Sequence, residues 1–155
     1  MPYDHPQVLV HVPDFEMAEI DEDLAPLIQA LWRSGVRTYM SCQDNAPEGY
    51  AWICFPDAGE AERFMAIAIP RHQPEEGSIY DRARNVWDFP GEPWLFAANV
   101  EDEAVEYEVD EDQDTMEEHH PTGVPEWRFH ISVRFPRGDL AAVTAAVQQA
   151  VTSEG

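Results

Sequence analysis

A cysteine acts as a nucleophile or a metal ligand only as the thiolate, and it needs a base or a positive field beside it to become one. The run Ser41-Cys42-Gln43-Asp44-Asn45 therefore asks what the fold sets beside Cys42. No residue close in sequence supplies a base or a cation. His11 and His130, both in strand-like segments, are the residues that folding would have to bring there. The plainer alternative makes Cys42 a small hydrophobe at a strand end, with Gln43, Asp44 and Asn45 forming a turn. Arg128, His130 and Arg134 form a second set, spaced by two along one segment, so a strand would put all three on one face. That arrangement suits an anion. The alternative is cross-strand pairing with Glu101, Glu106 or Glu108.

A third set runs from Glu101 to Glu118, where eleven of eighteen residues are acidic. Asp110, Asp112 and Asp114 have the spacing of the first calcium-loop ligands. Thr115 then stands where that loop requires glycine, and Pro121 where it requires a bidentate glutamate, so an EF-hand is excluded. What remains is a solvated acidic loop over 110–121, able to take up cations weakly or to dock a basic protein. His119 and His120 are adjacent and would point to opposite faces of a strand. No His-x3-His or Cys-x2-Cys spacing occurs, and there is no phosphate loop, G-x-G-x-x-G or G-x-S-x-G. No metal and no cofactor is expected from these spacings.

The elements that must position these residues can be read from periodicity. Gln7 to Val12 is a short strand ended by Pro13. Ile20, Leu24, Leu27, Ile28, Leu31 and Trp32 recur at helical spacing. Pro26 is tolerated only in a first turn, so Asp23 is the better N-cap. That leaves the Asp21 carboxylate outside the helix and uncommitted. Gly35 ends the helix. Val36 to Ser41 and Tyr50 to Phe55 make a hairpin around a 41–49 loop, and Asp57 with Glu60 forms a capping box for the next helix. Pro70, Pro74, Pro90 and Pro93 mark a connection over 70–93, within which Ser78 caps a short helix bearing Ile79, Ala83 and Val86. Trp94 to Val109 reads as one long strand bulged near Asp102, and Glu126 to Phe135 as the clearest strand of all. Asp139 caps a last helix with Leu140, Val143, Val147 and Val151 inward. The sum is an α+β two-layer sandwich: a βαββαβ-like core with an added C-terminal strand and helix, one domain over 1–155.

Composition narrows the classes of function. The net charge is −22 and all nine cationic side chains are arginine, so a phosphate backbone is repelled and direct nucleic-acid binding is not expected. A basic protein partner fits that field, and so does mimicry of nucleic acid by carboxylates. No apolar run approaches the ~20 residues of a membrane helix. The opening MPYDHPQ is unlike a basic signal peptide, and two cysteines make no disulfide framework. The expectation is a cytoplasmic protein with no membrane association, whose free sheet face suits a homodimer.

The run Ile20 to Ile28, then Thr38, Ser41-Cys42-Gln43 and Tyr50 to Phe55, resembles a group of uncharacterised small proteins of actinobacteria and their phages. In that group an aspartate opens a helix and the next strand ends in Ser-Cys-Gln-Gly. Asp44 stands here where the glycine is usual. Asp21, Ser41 and Cys42 also resemble, more remotely, a hairpin of the wybutosine-synthesising tRNA methyltransferases. Met40 and Gln43-Asp44-Asn45 replace the rest of that motif, including its arginine. Both likenesses imply that Asp21 and Cys42 share a pocket, with Ser41, Gln43 and Asn45 around it. Two functional readings follow. The favoured one is a non-catalytic binding or regulatory protein, acting through its acidic surface or the 41–49 loop. The other is a small, methyltransferase-like enzyme with Cys42 in the active site and Asp21 beside it. The titratable residues are too dilute to favour the enzyme.

Overall fold

Pro13 and Asp14 turn the chain earlier than its periodicity suggests. In the computed structural model, which describes residues 5–45, 47–84 and 91–154, strand β1 (Gln7–Val12) returns at once as a second strand, β2 (Glu16–Asp21). Pro13 fixes the second turn position, Asp14 takes a left-handed φ of 63°, and Phe15 N donates to the Val12 carbonyl at 3.1 Å. The register runs from Val12 opposite Glu16 to Gln7 opposite Asp21. Ile20 is therefore a buried strand residue, and not the start of the helical stripe.

Helix α1 (Ala25–Arg33) starts with Leu24 at the cap position and no side-chain cap bond, and Pro26 lies in its first turn. Asp23 is not the cap, because both its polar groups are committed elsewhere. Its amide donates to Gln43 Oε1 at 2.9 Å, and its carboxylate accepts from Arg137 Nη2 at 2.7 Å. Gly35 closes the helix as expected, at φ 79°. Its N–H donates to the Trp32 carbonyl and that of Val36 to Leu31, the paired bonds of a Schellman turn.

The main sheet has four antiparallel strands: β3 (Met40–Asn45), β4 (Tyr50–Phe55), β5 (Leu95–Asp102) and β8 (Trp127–Pro136), ordered β3-β4-β8-β5. Three helices, α1, α2 (Ala58–Ala68) and α4 (Leu140–Glu154), cover one face, and the chain is α+β. Between them Leu27, Leu31, Phe55, Phe64, Val133, Phe135, Val143 and Val147 are buried. Asp57 caps α2 by accepting from Glu60 N at 2.8 Å. The reciprocal half of the box is absent, because the Glu60 carboxylate accepts from Arg37 N instead. Ser78 caps α3 (Ile79–Arg84) through Asp81 N, and Val86 lies outside the described residues.

Two expected segments differ. The long strand over 94–109 breaks after Asp102, whose Oδ1 accepts from Ala104 N at 3.0 Å and bends the chain. The acidic stretch beyond is not a loop. It forms a separate hairpin of β6 (Glu106–Asp110) and β7 (Thr115–His119). Asp114 at φ 50° and the amides of Asp112 and Gln113, which both donate to Asp110 Oδ1, close its turn. Asp139 is also not a cap. It ends a 3-10 turn (Arg137–Asp139), and its buried carboxylate takes both Nη atoms of Arg82, at 2.6 and 2.8 Å, and Trp94 Nε1 at 3.0 Å.

Candidate functional site

Ser41 to Asn45 is strand and not loop. β3 runs through it opposite β4, with a register shift between Cys42 and Asn45, and Asn45 faces Tyr50. Asp44 lies within β3 and has a structural task there. Asp44 Oδ1 accepts from Gly49 N at 2.9 Å and pins the turn, where Gly49 takes φ 86°.

β2 and β3 do not pair as strands. They are joined by side chains, with Asp21 at the centre. Its carboxylate, 5% exposed, accepts from the Gln43 amide at 2.9 Å and from Gln7 Nε2 at 3.2 Å. Gln43 is itself buried, and its Oε1 returns the contact by accepting from Asp23 N. The sequence leaves this carboxylate uncommitted; in the fold it clasps two segments twenty-two residues apart.

Cys42 lies beside the clasp and is half-buried, with its Sγ–H donating to the Asp44 carbonyl at 3.2 Å. A third group arrives that sequence spacing does not reveal. His5 is held just before β1 because the Pro6 carbonyl accepts from Glu22 N at 2.8 Å. One ring nitrogen of His5, one carboxylate oxygen of Asp21 and Cys42 Sγ all lie within 4.8 Å of one another. His5 Nε2 is buried and has no hydrogen-bond partner among the described residues. The signal that could have found it is the Pro13-Asp14 turn, because pairing Gln7 with Asp21 sets His5 just past the end of that ladder. A separate groove of about 350 Å³ is lined by residues of β2 and β3 together with Trp32, Thr38 and Tyr39, and none of His5, Asp21, Cys42 or Gln43 lines it.

Neither His11 nor His130 is the partner of Cys42. His11 is exposed on β1. His130 is buried on β8, with Nε2 2.9 Å from Glu101 Oε2 and its ring stacked on Tyr39 at 4.4 Å. Burial first, and then the Glu101 charge, raise the Tyr39 phenol, so its O–H remains a donor to Glu101 at neutral pH. Arg128 pairs with Glu103 at 2.7 Å, and the Arg134 guanidinium lies 5.6 Å above the Trp52 ring. The three residues of the suggested anion set thus have separate surroundings. Arg134 does belong to the row Cys42, Trp52, Arg134 across β3, β4 and β8, two strand spacings or roughly 10 Å from Cys42.

The second cysteine provides a contrast. Cys54 is 3% exposed on β4, and burial pushes its thiol up from 9.0 despite hydrogen bonds from Ser132 and Asn99 that pull it down. It is held as the neutral thiol at neutral pH. On the β6–β7 hairpin, Glu108, Glu117 and His119 also cluster, but all are exposed.

No helix among the described residues is long and apolar enough to cross a membrane. No family model and no solved structure matches the chain. The chain is similar to an uncharacterised protein of Acanthamoeba polyphaga mimivirus, 28% identical over 127 residues, which cover 78% of this chain and 57% of the viral protein. The match thus spans little more than half the length of that relative.

Proposed function

We propose that this is a binding protein whose working site is the side-chain cluster where β2 meets β3, formed by Asp21, Cys42, Gln43 and His5. One observation carries the reading: a buried carboxylate, a half-buried thiol and an imidazole nitrogen converge within 4.8 Å. Converging polar groups of this kind fix the orientation of a ligand in small-molecule sites. An enzyme using Cys42 as nucleophile needs an imidazole to take the thiol proton and a third group to orient that imidazole. Here the thiol donates to the Asp44 carbonyl, and the hydrogen bonds of Asp21 go to Gln7 and Gln43. The geometry favours holding a ligand over activating the sulfur.

Native mass spectrometry of the untagged protein tests this, before and after incubation with a small-molecule cell extract. The expected result is a retained mass that disappears when Cys42→Ser and Asp21→Asn are introduced together. A wild-type protein that carries nothing under either condition contradicts the reading.

A further inference from the structure

We propose that His5, Asp21 and Cys42 bind a thiophilic divalent cation of the zinc class, through one imidazole nitrogen, one carboxylate oxygen and one thiolate. This rests on the binding-cluster reading above and names the ligand. The donor set carries the first part of the argument. Mixed nitrogen, oxygen and sulfur ligands suit zinc, whereas magnesium and calcium take oxygen shells. Three protein ligands leave the fourth tetrahedral position free for water or a further ligand.

Geometry carries the second part. Bonds of about 2.0–2.3 Å put tetrahedral ligand atoms roughly 3.3–3.7 Å apart. The three atoms here lie within 4.8 Å of one another, so rotations about the side-chain bonds of Cys42 and His5 close the difference. Asp21 is already oriented as a ligand should be. Gln7 Nε2 and the Gln43 amide each occupy one of its oxygens and leave further lone pairs available. His5 Nε2 adds an independent sign. Left without a partner among the described residues, a buried ring nitrogen is costly, and a cation held at this ring, or its bound water, would relieve that cost. The overall charge of −22 concentrates divalent cations around the chain.

Binding is a proton exchange. The Cys42 S–H bond breaks, the metal–sulfur bond forms, and the proton now directed at the Asp44 carbonyl leaves for solvent. Affinity therefore rises with pH.

The test is cobalt(II) titration of the untagged full-length protein, followed by displacement with zinc. A thiolate-to-cobalt charge-transfer band in the near ultraviolet should saturate at one equivalent, and Cys42→Ser should abolish it. His5→Ala, ahead of β1, should weaken zinc binding by at least about 10-fold, with a far-ultraviolet spectrum matching wild type. Glu108→Gln with Glu117→Gln, on the exposed hairpin, should leave both unchanged. A band that survives Cys42→Ser, or binding lost only with the hairpin variant, overturns the proposal. Failure of the two readings can be told apart. If Cys42 reacts with iodoacetamide but no cobalt band forms, the metal assignment fails and the binding cluster stands. If Cys42 is inert and no band forms, both fail.

Discussion

Asp139→Ala should lower the stability of the protein by about 3–5 kcal/mol, read as a fall in the urea midpoint with unchanged slope. The Arg82 and Asp139 side chains are only 15% and 10% exposed, and the pair is bidentate. Removing the carboxylate strands the Arg82 guanidinium in a poorly solvated place and takes an acceptor from Trp94 Nε1, which lies 3.0 Å away. The hydrogen bonds that Arg82 donates to Asp139, and then the Asp139 charge, raise Arg82, so this cation cannot escape by losing its proton. The pair also ties α3 to the turn that begins α4, so its loss is felt by two elements at once. Replacing Arg82 and Asp139 together by leucine should recover part of the loss, because the stranded charge goes with its partner. An unfolding free energy within about 0.5 kcal/mol of wild type for Asp139→Ala would show that the pair is not formed in solution.

The second large effect is expected at Asp21. Asp21→Ala should cost about 2–4 kcal/mol, since it leaves the buried Gln43 amide without its acceptor and removes a hydrogen bond from Gln7. Asp21→Asn should cost less, because an amide oxygen can still accept from Gln43. The two variants thus separate loss of the clasp from loss of the charge. Equal destabilisation by both would mean that the charge, and not the hydrogen bond to Gln43, holds β2 against β3. Urea denaturation of the three proteins decides it.

How far the sequence discloses this molecule depends on where its signals are local. The alternation from Trp127 to Phe135 and the helical stripe of Val143 and Val147 need only nearest neighbours, and both elements form where they are expected. Even there one detail differs: Trp127 and Phe129 are exposed, and only the later part of the stripe, from Ile131, packs toward the core. Glu16 to Asp21 is a strand despite three acidic residues and no strong strand former before Ile20, because β1 supplies its ladder. That missed strand is why the role of Asp21 was only half legible. Its place beside Cys42 and its hydrogen bonds to Gln7 and Gln43 both depend on a hairpin the residues barely announce. Asp23 and Asp139 mislead for a common reason. Each stands where a helix cap belongs, and a distant arginine claims each carboxylate. His5 was illegible because its position is set by the Pro6–Glu22 contact and not by any spacing to Cys42.

The central claim is that the partly buried Cys42 thiol stands free to react beside Asp21, while Cys54 is sealed in the sheet. Iodoacetamide treatment of the native protein near neutral pH, with the site of alkylation mapped on peptides, tests it most directly. The account predicts modification of Cys42 while Cys54, buried and held as a neutral thiol, stays intact, with Cys42 reacting faster still in Asp21→Ala. Equal protection of both thiols until the protein unfolds, or preferential labelling of Cys54, would contradict it.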